Sequence, residues 1–580
     1  MSKRWLIADS ITEEIQKMFP DMDRVILQLL WNRGHKTQEA IDIYLNPDWD
    51  RDTYSPSLFT QMPQAVARLF EAFEQGQVIT VHGDYDADGV CGSAVLLTTL
   101  REIARACGFD ETKITSYIPH REKEGYGLSL STVEHLSFEF HTKLIITVDC
   151  GISNKLAIDR AKELGIDTIV CDHHAIPQDL PESAFLIHPL VPGEVFPNKQ
   201  LCGTGVAFKF ASALFEEARK RGASLAIGQE KWLLDLVAIA TVTDVMPLTA
   251  ENRVLEKFGL VVLNKTRRIG IQKLLEVAGA TMGELDTVSV GFQIGPRINA
   301  AGRMTHAKQA LELLIEEDET HATQLALKLH EINVERQKAS QAMYVEAKAQ
   351  LNDVQGQSLL VVVQEGWGAG LLGLVAGKLL NEHYIPVFVV GKEGDHYVGS
   401  GRSIEGFDIT QALHQASAFL DKFGGHPQAC GFSVTSEERF IKAIEIIKAF
   451  AAQQIQPEML EPSLLVDREI LFEDIGWDLI NNLERFAPYG TGNPIPLFVS
   501  RNVKVVSFSG VGKEGTHLKL RLQSNFGKIM EAIGFHLGDW TQRLSFGCLL
   551  DVVYELQINE WNGRREIQLR LIDLKKTEET

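Results

Sequence analysis

Short apolar runs along this chain stop, again and again, at acidic or histidine-rich clusters. Val78-Ile79-Thr80-Val81, Leu144-Ile145-Ile146-Thr147-Val148 and Thr168-Ile169-Val170-Cys171 are β-branched and uninterrupted, as strands buried on both faces read. The clusters that end them are His82-Gly83-Asp84-Tyr85-Asp86-Ala87-Asp88-Gly89, then Asp149-Cys150-Gly151, then Asp172-His173-His174. Thr243-Asp244 supplies a fourth. From about 66 to 260 such runs alternate with helical patterns, which predicts a doubly wound parallel sheet. The carboxyl ends of its strands would line one crevice, so the clusters would converge there. That many like charges repel unless cations hold them together.

The pattern changes along the rest of the chain. At 580 residues the protein exceeds one hydrophobic core, so several domains are expected. Residues 1–50 look helical, with Leu27-Gln28-Leu29-Leu30 and Ala40-Ile41-Asp42-Ile43-Tyr44-Leu45 as apolar stretches. Residues 51–305 hold the parallel-sheet domain. Residues 306–355 contain neither Gly nor Pro and predict a connecting helix, broken near Asp318. Residues 356–460 read as a second, smaller α/β domain. There a strand (Leu359–Val363) leads through a glycine-rich loop (Gly366–Gly373) into a helix, and a strand at Ile385–Val390 follows. From 461 to 580, short alternating strands (Val503–Phe508, Leu518–Leu522, Leu549–Ile558, Ile567–Leu574) predict a small closed barrel of the OB type.

Composition adds compartment and partner class. A net charge of −20 argues against indiscriminate nucleic-acid binding. The charge is uneven, however: from Arg501 to Lys576 twelve Lys/Arg face eight Asp/Glu. A basic module on an acidic body lets nucleic acid dock at one place. Seven scattered cysteines without a CxxC pair suit reduced thiols in the cytoplasm. No apolar run reaches the ~18 residues of a membrane span, and Met1-Ser2-Lys3-Arg4-Trp5 does not read as a signal peptide.

The spacing of the clusters suggests how ions would be held. His82 and Asp86 would take one ion and Asp88 a second, with Asp149 bridging and His173 and Asp244 completing the second site. Two cations ~3.5–4 Å apart activate water and steady a leaving phosphoester oxygen. Mixed carboxylate and imidazole donors suit Mn²⁺ and permit Mg²⁺. Each piece also has an ordinary reading. A lone Asp at a strand end caps the next helix, an HH pair lies in solvent, and Asp84 hydrogen-bonds its turn.

The four clusters together resemble the motifs of the DHH phosphoesterase superfamily. Gly373-Leu374-Val375-Ala376-Gly377-Lys378 and Gly424-Gly425-His426-Pro427-Gln428-Ala429-Cys430-Gly431 resemble its accessory DHHA1 domain. Three further stretches are similar to those of its larger, single-strand-specific 5′→3′ exonuclease members: Gly295–Arg303, Gly399-Ser400-Gly401-Arg402-Ser403 and Pro488-Tyr489-Gly490-Thr491-Gly492-Asn493-Pro494. The resemblance implies catalytic roles for Asp84, Asp149 and His174, with His174 against the scissile phosphate. It implies metal ligation by His82, Asp86, Asp88, Asp149, His173 and Asp244. It further implies substrate contacts by Arg121, Arg297, Asn299, Arg303, Ser400, Arg402 and His426, some of them to a 5′-terminal phosphate.

The function so implied is hydrolysis of single-stranded DNA from the 5′ end by two divalent ions, Mn²⁺ or Mg²⁺, in DNA repair and recombination. The strand would pass between the two α/β domains, with the OB-like module as a further clamp. Phe508, Phe526, Phe535 and Trp540 are candidate stacking platforms. Expected partners are single-stranded DNA, a single-strand-binding protein and a helicase, for a monomeric enzyme. Two alternatives share the fold: a phosphodiesterase for short oligonucleotides or cyclic dinucleotides, and a non-catalytic replication scaffold.

Overall fold

The structure, a computed structural model, describes residues 3–351, 354–561 and 563–577. The chain divides into two units, 53–460 and 1–52 with 461–580.

In the 53–460 unit the first sheet is wholly parallel. Its order is Ile114–Tyr117, Val78–Gly83, Thr142–Val148, Asp167–Cys171, Phe185–Ile187. Register explains why the clusters meet. Gly83 pairs with Val148 and Val148 with Cys171, so Asp84, Asp149 and Asp172 leave adjacent strands at one level. The ladder continues into these residues: Asp84 N–H donates to Val148 O at 3.2 Å and Asp149 N–H to Cys171 O at 2.9 Å. Helices Ala87–Cys107, Gly203–Lys220 and Leu234–Thr243 pack against one another. All but two residues of the last are buried.

The second sheet of this unit is mixed. Its order is Lys422–His426, Ala429–Val434, His396–Arg402, Val387–Glu393, Leu360–Glu365, and only the last pair is parallel. The connecting segment forms two helices, Lys308–Ile315 and Glu319–Gln350. Asp318 starts the longer one by accepting the His321 N–H at 2.7 Å. That helix packs on Gly295–Met304 and Ala369–His383, one from each half of the unit.

Here the structure corrects two readings. The helix after the glycine-rich stretch begins at Ala369, inside it. Gly399-Ser400-Gly401-Arg402, whose two glycines read as a loop with N–H groups free to face a ligand, is instead the end of a strand paired on both sides. Its glycines serve packing: a Cβ on Gly399 would stand 2.2 Å from the Phe432 ring, and one on Gly401 2.6 Å from that of Phe388.

The other unit carries a closed five-strand barrel. Phe498–Val511, His517–Gln523, Ile529–Gly534, Arg564–Lys576 and Leu549–Trp561 pair in that circular order, the last returning to the first. Ile529–Gly534 is a strand that the apolar pattern did not announce. Residues 1–50 are not all helical, since Arg4–Ile7 is a strand parallel to Ser463–Val466. Val25, Ile26, Leu29, Leu30 and Ile41 share one core with Phe472, Leu483, Leu520, Val552 and Leu571.

Candidate active site

Motif geometry begins with the helix that follows the first strand. Asp86 caps it, its Oδ1 accepting the N–H groups of Asp88 at 3.0 Å and Gly89 at 3.2 Å. Asp88, in the first turn, receives the N–H groups of Gly203 and Thr204, each at 2.7 Å. These are the orphan donors of a second helix start, which favour a carboxylate. Asp149 stands beside Gly203, where a Cβ would lie 2.6 Å from Asp149 Cβ. Asp149 itself takes a left-handed φ of 59°, a conformation that Asp tolerates better than most side chains. Asp244 caps the carboxyl end of Leu234–Thr243, where the helix dipole disfavours negative charge. A nearby cation would make that placement favourable.

Three groups of side chains offer donor atoms close enough for an ion: Asp84, Asp86 and Asp149; Asp88, His173 and Asp244; Asp149, His173 and His174. Asp149 belongs to two of them. His173 Nε2 lies 3.2 Å from Asp149 Oδ1, 3.5 Å from Asp244 Oδ2 and 3.7 Å from Asp88 Oδ2. Asp84 Oδ1, Asp149 Oδ1, His173 Nε2 and Asp244 Oδ2 are buried without a hydrogen-bond partner. Left so, each costs on the order of 1–3 kcal/mol. Divalent cations would satisfy all four, so the donor set fits them. His82 lies outside these groups. Its ring is wholly buried, with Nδ1 3.7 Å from Cys150 Sγ and Nε2 unpartnered.

Protonation reflects the same crowding. Burial, then the charges of Asp88, Asp86, Asp84 and Asp244, pushes the Asp149 carboxyl well above the usual range. Burial and then Asp86 do the same to Asp84. Burial, followed by Asp88 and Asp86, takes Asp244 up to about 9. His82 falls to about 4 through burial. His174 behaves differently. Burial opposes its charge, but the hydrogen bond and charge of Asp172, with Asp244 and Asp88, raise it to about 9.

A basic wall adjoins the first cluster. The Arg121 guanidinium lies 4.8 Å from the centre of the Tyr85 ring. Arg303 Nη1 donates to Gly370 O at 2.9 Å. Burial, then the charges of Arg121, Arg336 and Arg402 against that of Asp86, lowers Arg303 to about 10. Arg402 Nη1 reaches Ser400 Oγ at 3.2 Å and Gly401 O at 2.8 Å. Two other expected contacts have structural partners. Arg297 is held by Gln293 O at 2.6 Å and His330 Nδ1 at 3.2 Å. Asn299 Oδ1 accepts the Ala87 N–H at 2.9 Å, fixing the start of the helix that carries Asp88. His426 is exposed on an edge strand.

Two residues escaped the sequence reading, and a third was read only as part of its cluster, with no role of its own. Arg336 falls at helical spacing with the apolar Leu325, Leu329 and Ile332, a pattern that reads as a helix face and not as a ligand contact. Its Nε is buried and unpartnered. Tyr126 Oη donates to Asp149 O at 3.0 Å and lies 3.0 Å from His174 Nδ1. Asp172 holds His174 from behind, Oδ1 to Nδ1 at 2.8 Å. Nothing in the spacing singles out the first two.

On the barrel, Phe526 is 74% exposed, Phe546 75% and Phe535 48%, whereas Phe508 and Trp540 pack partly into the core. Arg570 lies 5.9 Å from the Phe535 ring centre.

Residues 78–241 match the DHH family, N-terminal domain, residues 356–453 the DHHA1 domain, and residues 466–573 the RecJ OB domain. Fold and site thus define a DHH–DHHA1 protein of the metal-dependent phosphoesterase class. The chain is 35% identical to the single-stranded-DNA-specific exonuclease RecJ of Bacillus subtilis (strain 168), over 98% of this chain and 71% of that protein. It belongs to the RecJ family. Its structure is similar to that of RecJ from Thermus thermophilus in complex with Mn²⁺. The TM-score is 0.83 and the identity 29%, covering 99% of this chain and 79% of that one. The Mg²⁺ complex of the same protein gives 0.77 and 28%, covering 99% and 78%. Among the described residues, no helix is long and apolar enough to cross a membrane.

Proposed function

We propose that this protein is a single-strand-specific DNA exonuclease that works 5′→3′, hydrolysing phosphodiesters with two divalent ions, Mn²⁺ or Mg²⁺, and releasing 5′-mononucleotides. One observation carries the proposal: four unpartnered buried donor atoms of the DHH site adjoin a wall of arginines that lacks carboxylate partners among the described residues. When bound, two divalent cations supply Lewis acidity at the attacking water and at the leaving oxygen.

The chain's own groups divide the rest of the work. Asp86 and Asp149, with Asp84, would hold one ion. Asp88, Asp149, His173 and Asp244 would hold the other, with Asp149 shared. Of the two candidates for the remaining donor to the first ion, Asp84 is nearer to the other ligands than His82. His174, fixed by Asp172, would present its charged ring to the scissile phosphate and stabilise the charge that builds there. Arg121, Arg303, Arg336 and Arg402, with the Ser400 hydroxyl, would grip the strand's phosphates. Arg297 and Asn299 would act by positioning, through the contacts they make. The exposed barrel phenylalanines would stack bases, which a phosphodiesterase for cyclic dinucleotides does not need.

The enzyme would act as a monomer. Seven free cysteines support a reducing compartment, the cytoplasm. Requiring single strands, the enzyme would depend on a helicase and meet a single-strand-binding protein in repair and recombination.

Digestion of 5′- and 3′-labelled DNA, single- and double-stranded, tests the reading. Mononucleotides should leave only single strands, and from the 5′ end, with either metal. Release of label from the 3′ end first, or equal attack on duplex, refutes it.

A further inference from the structure

Helix Ala87–Cys107 carries Asp88 in its first turn. At a rise of about 1.5 Å per residue, its Arg101 lies roughly 20 Å along the axis from that turn. There, away from the carboxylates, a cavity of about 530 Å³ opens between this helix and residues 226–235, 267–269 and 314–317. Pockets of about 300–1,000 Å³ are the usual size for small organic ligands.

The lining is chemically uneven. The Arg267 guanidinium lies 3.7 Å from the centre of the Trp232 ring, and Trp232 remains 37% exposed. Together they make a flat cationic and aromatic platform of the kind that planar rings stack upon. Arg268 is committed to Asp235 at 3.3 Å and to Thr98 Oγ1 at 3.2 Å, and Arg105 to Glu111 at 2.6 Å. Among the described residues, Arg101 has no hydrogen bond or ion pair and Arg267 has no carboxylate partner. Arg101 lines the same cavity as the Arg267–Trp232 pair, so the cavity offers an anion two cations without carboxylate partners and a ring an exposed indole. Glu102, Asp235, Glu316 and Glu317 also face the cavity. They offset the arginines overall, so a long polyanion is disfavoured while a single phosphate at Arg101 is not.

We propose that this cavity binds a nucleoside monophosphate, the base on the Trp232–Arg267 platform and the phosphate on Arg101. The site is separate from the catalytic crevice and touches the same helix that presents Asp88.

Calorimetric titration of the full chain tests this in EDTA, where bound metal cannot recruit phosphate to the catalytic site. Deoxyadenosine 5′-monophosphate should bind one per chain, and tenfold more tightly than either inorganic phosphate or deoxyadenosine. Arg101→Gln and Trp232→Ala should each weaken it at least tenfold. Trp232→Phe, which keeps an aromatic face, should recover most of the loss. Arg402→Ala and Asp149→Asn should leave it unchanged. No binding at millimolar ligand overturns the proposal, as does full affinity in Arg101→Gln. Loss in Arg402→Ala with retention in Trp232→Ala and Arg101→Gln would place the nucleotide in the catalytic crevice instead. Equal affinity for inorganic phosphate would eliminate the stacking half of the site.

Discussion

Asp172 Oδ1 lies 2.8 Å from His174 Nδ1, and the same oxygen accepts the backbone N–H groups of His173 at 2.7 Å and His174 at 3.1 Å. One carboxylate thus sets both the ring and the backbone of the histidine pair. Partners of this kind are worth about 10–100-fold in activity at metal sites. Asp172→Asn should lower kcat by about that much and leave the KM for single-stranded DNA within about twofold. A loss confined to KM would show that the pair serves binding and not turnover.

Asp149 is shared between two donor groups and sits at positive φ, so Asn, which tolerates that backbone, is a cleaner probe than Ala. Asp149→Asn should remove nearly all turnover at saturating Mn²⁺ while the far-UV circular dichroism stays unchanged. Retention of more than about a tenth of the wild-type rate would show that the shared ligand is dispensable.

Metal removal should separate stability from activity. In the wild type, Mn²⁺ should raise Tm, because it satisfies unpartnered buried atoms and is bound only by the folded state. Asp149→Asn relieves carboxylate crowding, so its metal-free Tm should exceed that of the wild type and respond less to Mn²⁺. Identical melting shifts in the two proteins would contradict this.

Glu256 is 0% exposed, its two carboxyl oxygens have no hydrogen-bond partner, and burial pushes its pKa well above the usual value. Below about pH 4.5 both folded and unfolded chains keep the proton. Above it only the unfolded chain releases it, so this residue costs stability progressively as pH rises toward its folded pKa. Glu256→Gln does not titrate. Its Tm advantage over the wild type should be small at pH 5 and grow by several degrees toward pH 8. Parallel Tm profiles across that range would mean that Glu256 is ionised in the folded protein.

Arg402 bonds to Ser400 and to its neighbour's carbonyl but to no carboxylate among the described residues. A terminal phosphate carries more charge than an internal one. Arg402→Ala should therefore slow cleavage of 5′-phosphorylated strands at least tenfold more than of 5′-hydroxyl strands. An equal loss on both would make it a general backbone contact.

For the barrel, substitution is more informative than truncation. Removing residues beyond 465 would strip the shared core from Ile26 and Leu29. Phe526→Ala and Phe546→Ala remove exposed rings only. At about 1–3 kcal/mol per stacked base, each should weaken single-strand binding about fivefold or more in fluorescence anisotropy. Unchanged affinity in the double substitution would exclude these rings as platforms.

The parallel sheet and its clusters were legible because buried strands advertise themselves as unbroken apolar runs, and because one register carries Asp84, Asp149 and Asp172 to the same edge. Arg4–Ile7 was not legible. Four residues are too few to establish an alternation in the sequence, and their partner strand lies more than 450 residues away. Ile529–Gly534 is short and interrupted by Glu531, so it reads as a turn until its neighbours supply the ladder. The glycines near Ser400 suggested a ligand loop because spacing cannot reveal an aromatic ring packed against them from another strand. Arg336 and Tyr126 depend on contacts made only after folding.

Gly203 carries a last consequence. Any side chain there would collide with Asp149, the ligand that both ions would share, so Gly203→Ala could silence the site while every aspartate and histidine remained in the sequence. Intact motifs are therefore not a certificate of activity in this family: a lineage can retire the enzyme with one methyl group and leave its catalytic signature unblemished.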